Sequence, residues 1–175
     1  MIGKISIPKE YHSLFKKKSY YFKCGLNIIT GGNAIGKTTL LKIILKKHPD
    51  CKYWNGELCY DLQKTPNGLL KYGENSYLLW AKNNKMSGGE VTNFKEGSII
   101  SRIEKDKESY RALLIDEADT HYDLYNQMIF FENMKTLSKK VQIILVSHSL
   151  FAFKQKDCNV IHLDENYKNY VTGLI

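Results

Sequence analysis

The chain has 175 residues, 43% of them hydrophobic, and a formal net charge of +8. That length is enough for one domain with a sizeable core, and the apolar content is ordinary for a globular protein. No apolar run approaches the ~20 residues of a membrane span, and the start of the chain lacks a leader-like apolar core, so a cytoplasmic protein is expected.

Short strands are predicted at residues 4–7 and 20–23. Residues 24–30 end in an apolar, β-prone run, and residues 39–45 begin a helix that stops before Pro49. Between them lies Gly31-Gly32-Asn33-Ala34-Ile35-Gly36-Lys37-Thr38, which fits G-x-x-x-x-G-K-[ST]. The glycines let successive backbone N–H groups turn inward around anionic oxygens, and the following helix adds its positive end. In this motif Lys37 reaches the β- and γ-phosphates and the Thr38 hydroxyl holds Mg²⁺. Alone, the same residues also read as a plain glycine turn before a helix.

Residues 51–60 read as a hairpin turning at Asn55-Gly56, and Pro66-Asn67-Gly68 as a further turn. A strand is expected at 77–80. Met86-Ser87-Gly88-Gly89-Glu90 then opens a helix that runs to about residue 105. Residues 112–115 form a buried strand ending at Asp116 and Glu117. A helix over 124–137 follows Asp123, and a second buried strand over 141–146 ends at Ser147-His148. Short strands at 160–163 and 170–172 close the chain. Continuous apolar strands alternating with helices give an α/β fold with a mainly parallel core sheet. No repeat, linker or second domain is visible, so residues 1–175 read as one domain.

A carboxylate at the end of a strand, such as Asp116, can hold Mg²⁺ beside a phosphate loop. Glu117 next to it can orient or deprotonate an attacking water. Taken singly, the acid pair is equally a strand-end pair, and His148 a structural histidine. Their order along the chain is more specific. It resembles that of an ABC-type ATPase: Walker A at 31–38, an LSGGQ-like signature at 86–90, Walker B ending at Asp116-Glu117, a D-loop reaching Asp123, and a switch histidine at His148. The run from Asp116 to Asp123, DEADTHYD, is similar to the family's DEPTSALD. The resemblance covers about residues 26–150.

The resemblance implies a P-loop NTPase fold of the ABC type, with a small antiparallel N-terminal sub-sheet and a reduced helical subdomain. It implies ATP and Mg²⁺ as cofactors. Nucleotide contacts fall on Gly31, Gly32, Asn33, Ala34, Ile35, Gly36, Lys37, Thr38, Thr39 and Asp123. Thr38 and Asp116 would hold the metal; Glu117, His148 and Lys37 would be catalytic. The signature residues Ser87, Gly88 and Gly89 would close over ATP bound by a second subunit. An ATP-dependent homodimer, or a heterodimer with another ABC-type ATPase, is therefore expected.

Several features depart from transporter cassettes. Only 50 residues separate Lys37 from Ser87. Gln63 is the only glutamine between those motifs, and its surroundings do not match a glutamine loop. Ala118, Met86 and Glu90 replace the usual proline, leucine and glutamine. Tyr11 is the candidate for adenine stacking. The general pattern is closer to soluble SMC, RecF and OLD-like heads, with a tail expected to finish in a short hairpin.

Residues 1–60 carry 11 Lys against 3 acids, while residues 61–175 carry 15 basic and 15 acidic side chains. The entire excess sits in the first third, with runs at Lys16-Lys17-Lys18 and Lys46-Lys47. Two readings stay open: contact with a polyanion such as DNA, or a solvated surface that partly balances bound nucleotide. Cys24, Cys51, Cys59 and Cys158 form no C-x-x-C pair and read as separate reduced thiols rather than a zinc site with His48. Three outcomes follow. The chain is a hydrolysing ATPase acting on DNA or gating a partner protein, a slow ATP-dependent switch for a separate effector, or a transporter's ATPase subunit.

Overall fold

The computed structural model describes residues 1–55, 111–120 and 122–174. Its main sheet contains β3 (Leu26–Thr30), β4 (Lys52–Asn55), β5 (Leu113–Asp116), β6 (Ile143–Val146) and β7 (Asn159–His162), in the order β4-β5-β6-β3-β7. All neighbouring strands in it are parallel. A separate antiparallel pair joins β1 (Lys4–Ser6) to β2 (Ser19–Tyr21). The described helices are α1 (Lys37–Lys47), α2 (Leu124–Ser138), α3 (Leu150–Lys154) and α4 (Glu165–Thr172).

Side-chain alternation explains the layering. Ile29, Leu114, Ile144 and Val146 pack with Leu40, Leu41 and Ile44 of α1. Their strand neighbours Ile28, Leu113, Ile115, Ile143 and Leu145 pack with Phe130, Phe131 and Met134 of α2. Successive strand residues face opposite sides of a sheet, so β3, β5 and β6 bury both faces and read as unbroken apolar runs. One polar residue among them, Asn27 in β3, is fully buried. Its amide donates to the carbonyls of Lys23, Gly25 and Ile143, and its oxygen accepts from Lys23 N and Asn159 Nδ2. A buried amide satisfied this fully ties β3 to both of its neighbours.

One expectation changes. Residues 170–172 are not a strand, and the chain does not finish in a hairpin: α4 runs through them. The Asp164 side chain accepts from Asn166 N, Glu165 pairs with Lys168 at 3.3 Å, and Val171 is buried. The cap and helical spacing outweigh the β-propensity of Tyr170, Val171 and Thr172. Of the predicted 51–60 hairpin, residues 52–55 form a strand that includes Asn55 and pairs in parallel with β5. The other arm lies outside the described residues, as do the predicted turn at 66–68, the strand at 77–80 and the helix at 90–105.

Parallel pairing brings Ile29 beside Val146 and Val146 beside Asp116. The loops that follow β3, β5 and β6 therefore start side by side at the carboxyl edge of the sheet, where ligands bind in open α/β folds.

Candidate nucleotide-binding site

The loop after β3 is held in unusual backbone geometry. Gly31 has φ 152°, Ala34 60° and Gly36 94°. A side chain at Gly31 would run into Ile35, and a Cβ at Gly36 would stand 2.8 Å from Leu14 Cδ2 and 3.0 Å from Phe15 Cζ. The N-terminal segment thus packs onto the loop, and the φ of 94° at Gly36 favours glycine there. No side chain caps α1 at Gly36, leaving its first N–H groups to an anion. Asn33 and Ala34 are exposed at the tip of the turn, and Thr38 and Thr39 are half-buried in the first turn of α1.

Lys37 lies at the centre of the site and is only 5% exposed. Its Nζ donates to Gly32 O at 2.8 Å and stands 3.9 Å from Glu117 Oε1. Burial lowers its pKa, and the nearby charges of Glu117 and Asp116 oppose that shift. Asp116 is buried at the end of β5. Its Oδ1 accepts from Thr38 Oγ1 at 3.2 Å and its Oδ2 from Tyr53 OH at 2.8 Å. Burial raises its pKa against the pull of these two hydrogen bonds.

Glu117 has φ 52°, a left-handed conformation disfavoured for a residue with a Cβ. Its Oε1 faces His148 Nε2 at 3.0 Å. The hydrogen bond from His148 holds the Glu117 carboxyl below its ordinary pKa, with the charges of His148 and Lys37 adding to the effect and burial opposing it. Lys37, Thr38, Asp116, Glu117 and His148 are thus joined at one sheet edge. Asp123 is farther along, at the N-terminus of α2, where it accepts from Asn126 N at 2.8 Å and Asn126 Nδ2 at 3.1 Å. Tyr11 is partly exposed in a 3-10 turn. Ser87, Gly88, Gly89 and Gln63 lie outside the described residues.

Tyr53 escapes the sequence reading. Its contact with Asp116 depends on β4 lying parallel beside β5, a non-local pairing that no local motif announces. Asp119 and Ser147, buried behind Glu117 and His148, lie within the motif runs but were given no role of their own by the sequence.

The donor set fits the expected cofactors. Among the described residues no group of three or more His, Cys, Asp or Glu is placed to form an all-protein metal cage. A single hydroxyl and a single carboxylate, Thr38 and Asp116, are what Mg²⁺ needs when phosphate oxygens and water complete its shell. No described helix is long and apolar enough to cross a membrane.

Phosphate-loop geometry on a parallel α/β sheet defines the class of fold. No protein-family profile matches the chain, and no curated protein does. Solved structures do match. A protein described as an ABC transporter (ATP-binding protein) from Pyrococcus furiosus aligns over 85% of this chain and 89% of its own, with 15% identity and a TM-score of 0.53. The cbiO1 protein of Clostridium perfringens, part of the ABC transporter complex cbiONQ, aligns over 88% of this chain and 84% of its own, with 14% identity and a TM-score of 0.46. The likeness to the Pyrococcus protein is one of fold, and the fold is that of ABC ATP-binding proteins.

Proposed function

We propose that this chain is a soluble ABC-type ATPase that binds Mg-ATP on the 31–38 loop and hydrolyses it at a site completed by a second subunit. The carrying observation is the placement of Glu117 Oε1 between Lys37 Nζ, at 3.9 Å, and His148 Nε2, at 3.0 Å. On binding, Lys37 exchanges its bond to Gly32 O for phosphate oxygens, and the uncapped start of α1 supplies N–H donors. Thr38 and Asp116 hold Mg²⁺, which supplies neutralising charge at the phosphates. Glu117 accepts the proton of the attacking water. His148 fixes the Glu117 carboxylate and presents a ring nitrogen to the departing phosphoryl group. Ser87, Gly88 and Gly89 of a second subunit close the site. In this reading the dimer acts on DNA through the basic surface of residues 1–60, or gates a separate effector protein.

The second reading, an ATP-dependent switch with little turnover, draws on one observation. His148 and Lys37 hold Glu117 below its usual carboxylate range, and a weaker base takes a proton less readily. Phosphate release with and without duplex DNA separates the two: steady, DNA-stimulated turnover supports the first, and stoichiometric ATP binding without release supports the second. Glu117→Gln should keep ATP binding, lower turnover by at least about 10²-fold, and accumulate an ATP-bound dimer by light scattering. A variant that stays monomeric in Mg-ATP eliminates the shared-site model.

A further inference from the structure

Behind Glu117 and His148 runs a buried polar chain that the proposed reaction does not use. Asp119 is 3% exposed and Ser147 is fully buried. Ser147 Oγ donates to Asp119 Oδ2 at 2.5 Å and accepts from Ser149 N at 2.9 Å. Ser149 Oγ donates to Gln127 Oε1 at 2.7 Å, and Gln127 Nε2 donates to Tyr122 O at 3.0 Å. The chain starts in the turn after Glu117, passes through the residues on either side of His148, and returns by way of α2 to the residue before Asp123. Burial pushes the Asp119 carboxyl up to about 6, against the bond from Ser147. A carboxyl group this dry needs a fixed hydrogen-bond donor.

The backbone at Glu117 supplies an independent observation. Its φ of 52° persists only where the surroundings over-determine it. Three contacts do so. Glu117 N donates to Val146 O at 3.2 Å, Thr120 Oγ1 donates to Glu117 O at 2.7 Å, and Asp119 is tied to Ser147. The first and last join the turn to the end of β6, from which His148 projects.

We propose that Asp119 is a positioning residue: its bond to Ser147 sets the register between the loop of Glu117 and the loop of His148 and keeps those two side chains in contact. It touches no reacting atom. Its effect on turnover rests on the reading of Glu117 and His148 given above, whereas its effect on their contact does not. Loss of the bond lets the 117–120 turn relax away from β6, so Glu117 is misaimed. The phosphate loop, built on β3 and α1, is untouched.

The test uses the full-length chain labelled with ¹⁵N, with the His148 ring nitrogens observed by NMR and ATP turnover measured on the same preparations. Glu117→Gln identifies the ring resonance that reports the Glu117–His148 hydrogen bond. Asp119→Ala and Ser147→Ala are expected to move that resonance in the same direction. They should lower kcat by roughly tenfold or more while KM for ATP changes less than about twofold. The double variant should be no slower than the slower single variant, because each removes the same bond. An unmoved ring resonance in folded Ser147→Ala and Asp119→Ala overturns the proposal, whatever the turnover. If Asp119→Ala does not fold, Ser147→Ala decides alone, since it deletes one oxygen without changing the backbone. Wild-type protein that hydrolyses no ATP defeats the hydrolytic reading, and the ring resonance still decides the positioning role.

Discussion

A carboxyl group as buried as that of Asp119 ties folding to pH in an unusual direction. Most acids in folded proteins titrate low, so they favour the native state above their ordinary pKa. Asp119 titrates near 6 against an ordinary 3.8, so the folded state binds its proton more tightly than the unfolded chain. Its contribution to stability is complete below about pH 4 and is lost as pH rises to about 6. Glu117 and His148 act on this carboxyl electrostatically, and comparison with Asp119→Asn isolates the Asp119 carboxyl from the rest of the protein's pH dependence. The stability of wild type relative to Asp119→Asn, from urea unfolding, should therefore fall by about 2–3 kcal/mol between pH 4 and pH 7. A flat difference would mean that Asp119 is well solvated. Gly36 gives a second residue-scale expectation. Its φ of 94° strains any residue with a Cβ, and a methyl group there would have to displace the Leu14 and Phe15 side chains, so Gly36→Ala should lose about 1–3 kcal/mol in the same assay and weaken ATP binding by distorting the loop.

Among the elements, α2 has a start that is fixed by one side chain. Asp123, expected as a nucleotide contact, occupies both carboxylate oxygens with Asn126 at the helix N-terminus. Asp123→Ala should cost about 1 kcal/mol of stability from loss of the cap, whether or not ATP is present. A stability loss confined to the ATP-bound protein would assign Asp123 to the nucleotide instead. This residue also marks where the sequence was informative and where it was not. The buried strands at β3, β5 and β6 were legible because each is a mainly apolar run, Lys37 and Thr38 because their motif is contiguous, and Asp116, Glu117 and His148 through their order along the chain. Tyr53 was not legible, since it meets Asp116 only through a non-local parallel pairing. The final helix was misread because Tyr170, Val171 and Thr172 suit a strand, although Asp164 and Glu165 already spelled a helix start. Asp119 and Ser147 were hidden for another reason: their partnership spans 28 residues and exists only once β5 and β6 pair.

Over the whole molecule, charge is segregated along the chain in a way the fold preserves at the surface. Lys4, Lys9, Lys16, Lys17, Lys18, Lys23, Lys42, Lys46 and Lys47 are all exposed, and the Lys4 Nζ sits over the Tyr21 ring at 5.5 Å. Lys47 is committed to Ser6 O at 2.5 Å, whereas the run at 16–18 follows the buried Phe15, which packs against Gly36 of the phosphate loop. A polyanion held by that run would lie near the segment that shapes the loop, which gives DNA a physical route to alter nucleotide binding. Counterion release makes the idea measurable, because each neutralised phosphate contributes about 0.9 to the slope of log K against log salt for duplex DNA. Changing Lys16, Lys17 and Lys18 together to Gln should reduce that slope by up to about 2–3 and weaken binding equally on unrelated sequences, as expected of phosphate contacts. It should leave ATP affinity without DNA unchanged, since Lys37 and the loop glycines are untouched. An unaltered slope, or no salt-dependent DNA binding by the wild type, removes DNA as the target and leaves the solvated-surface reading of this charge.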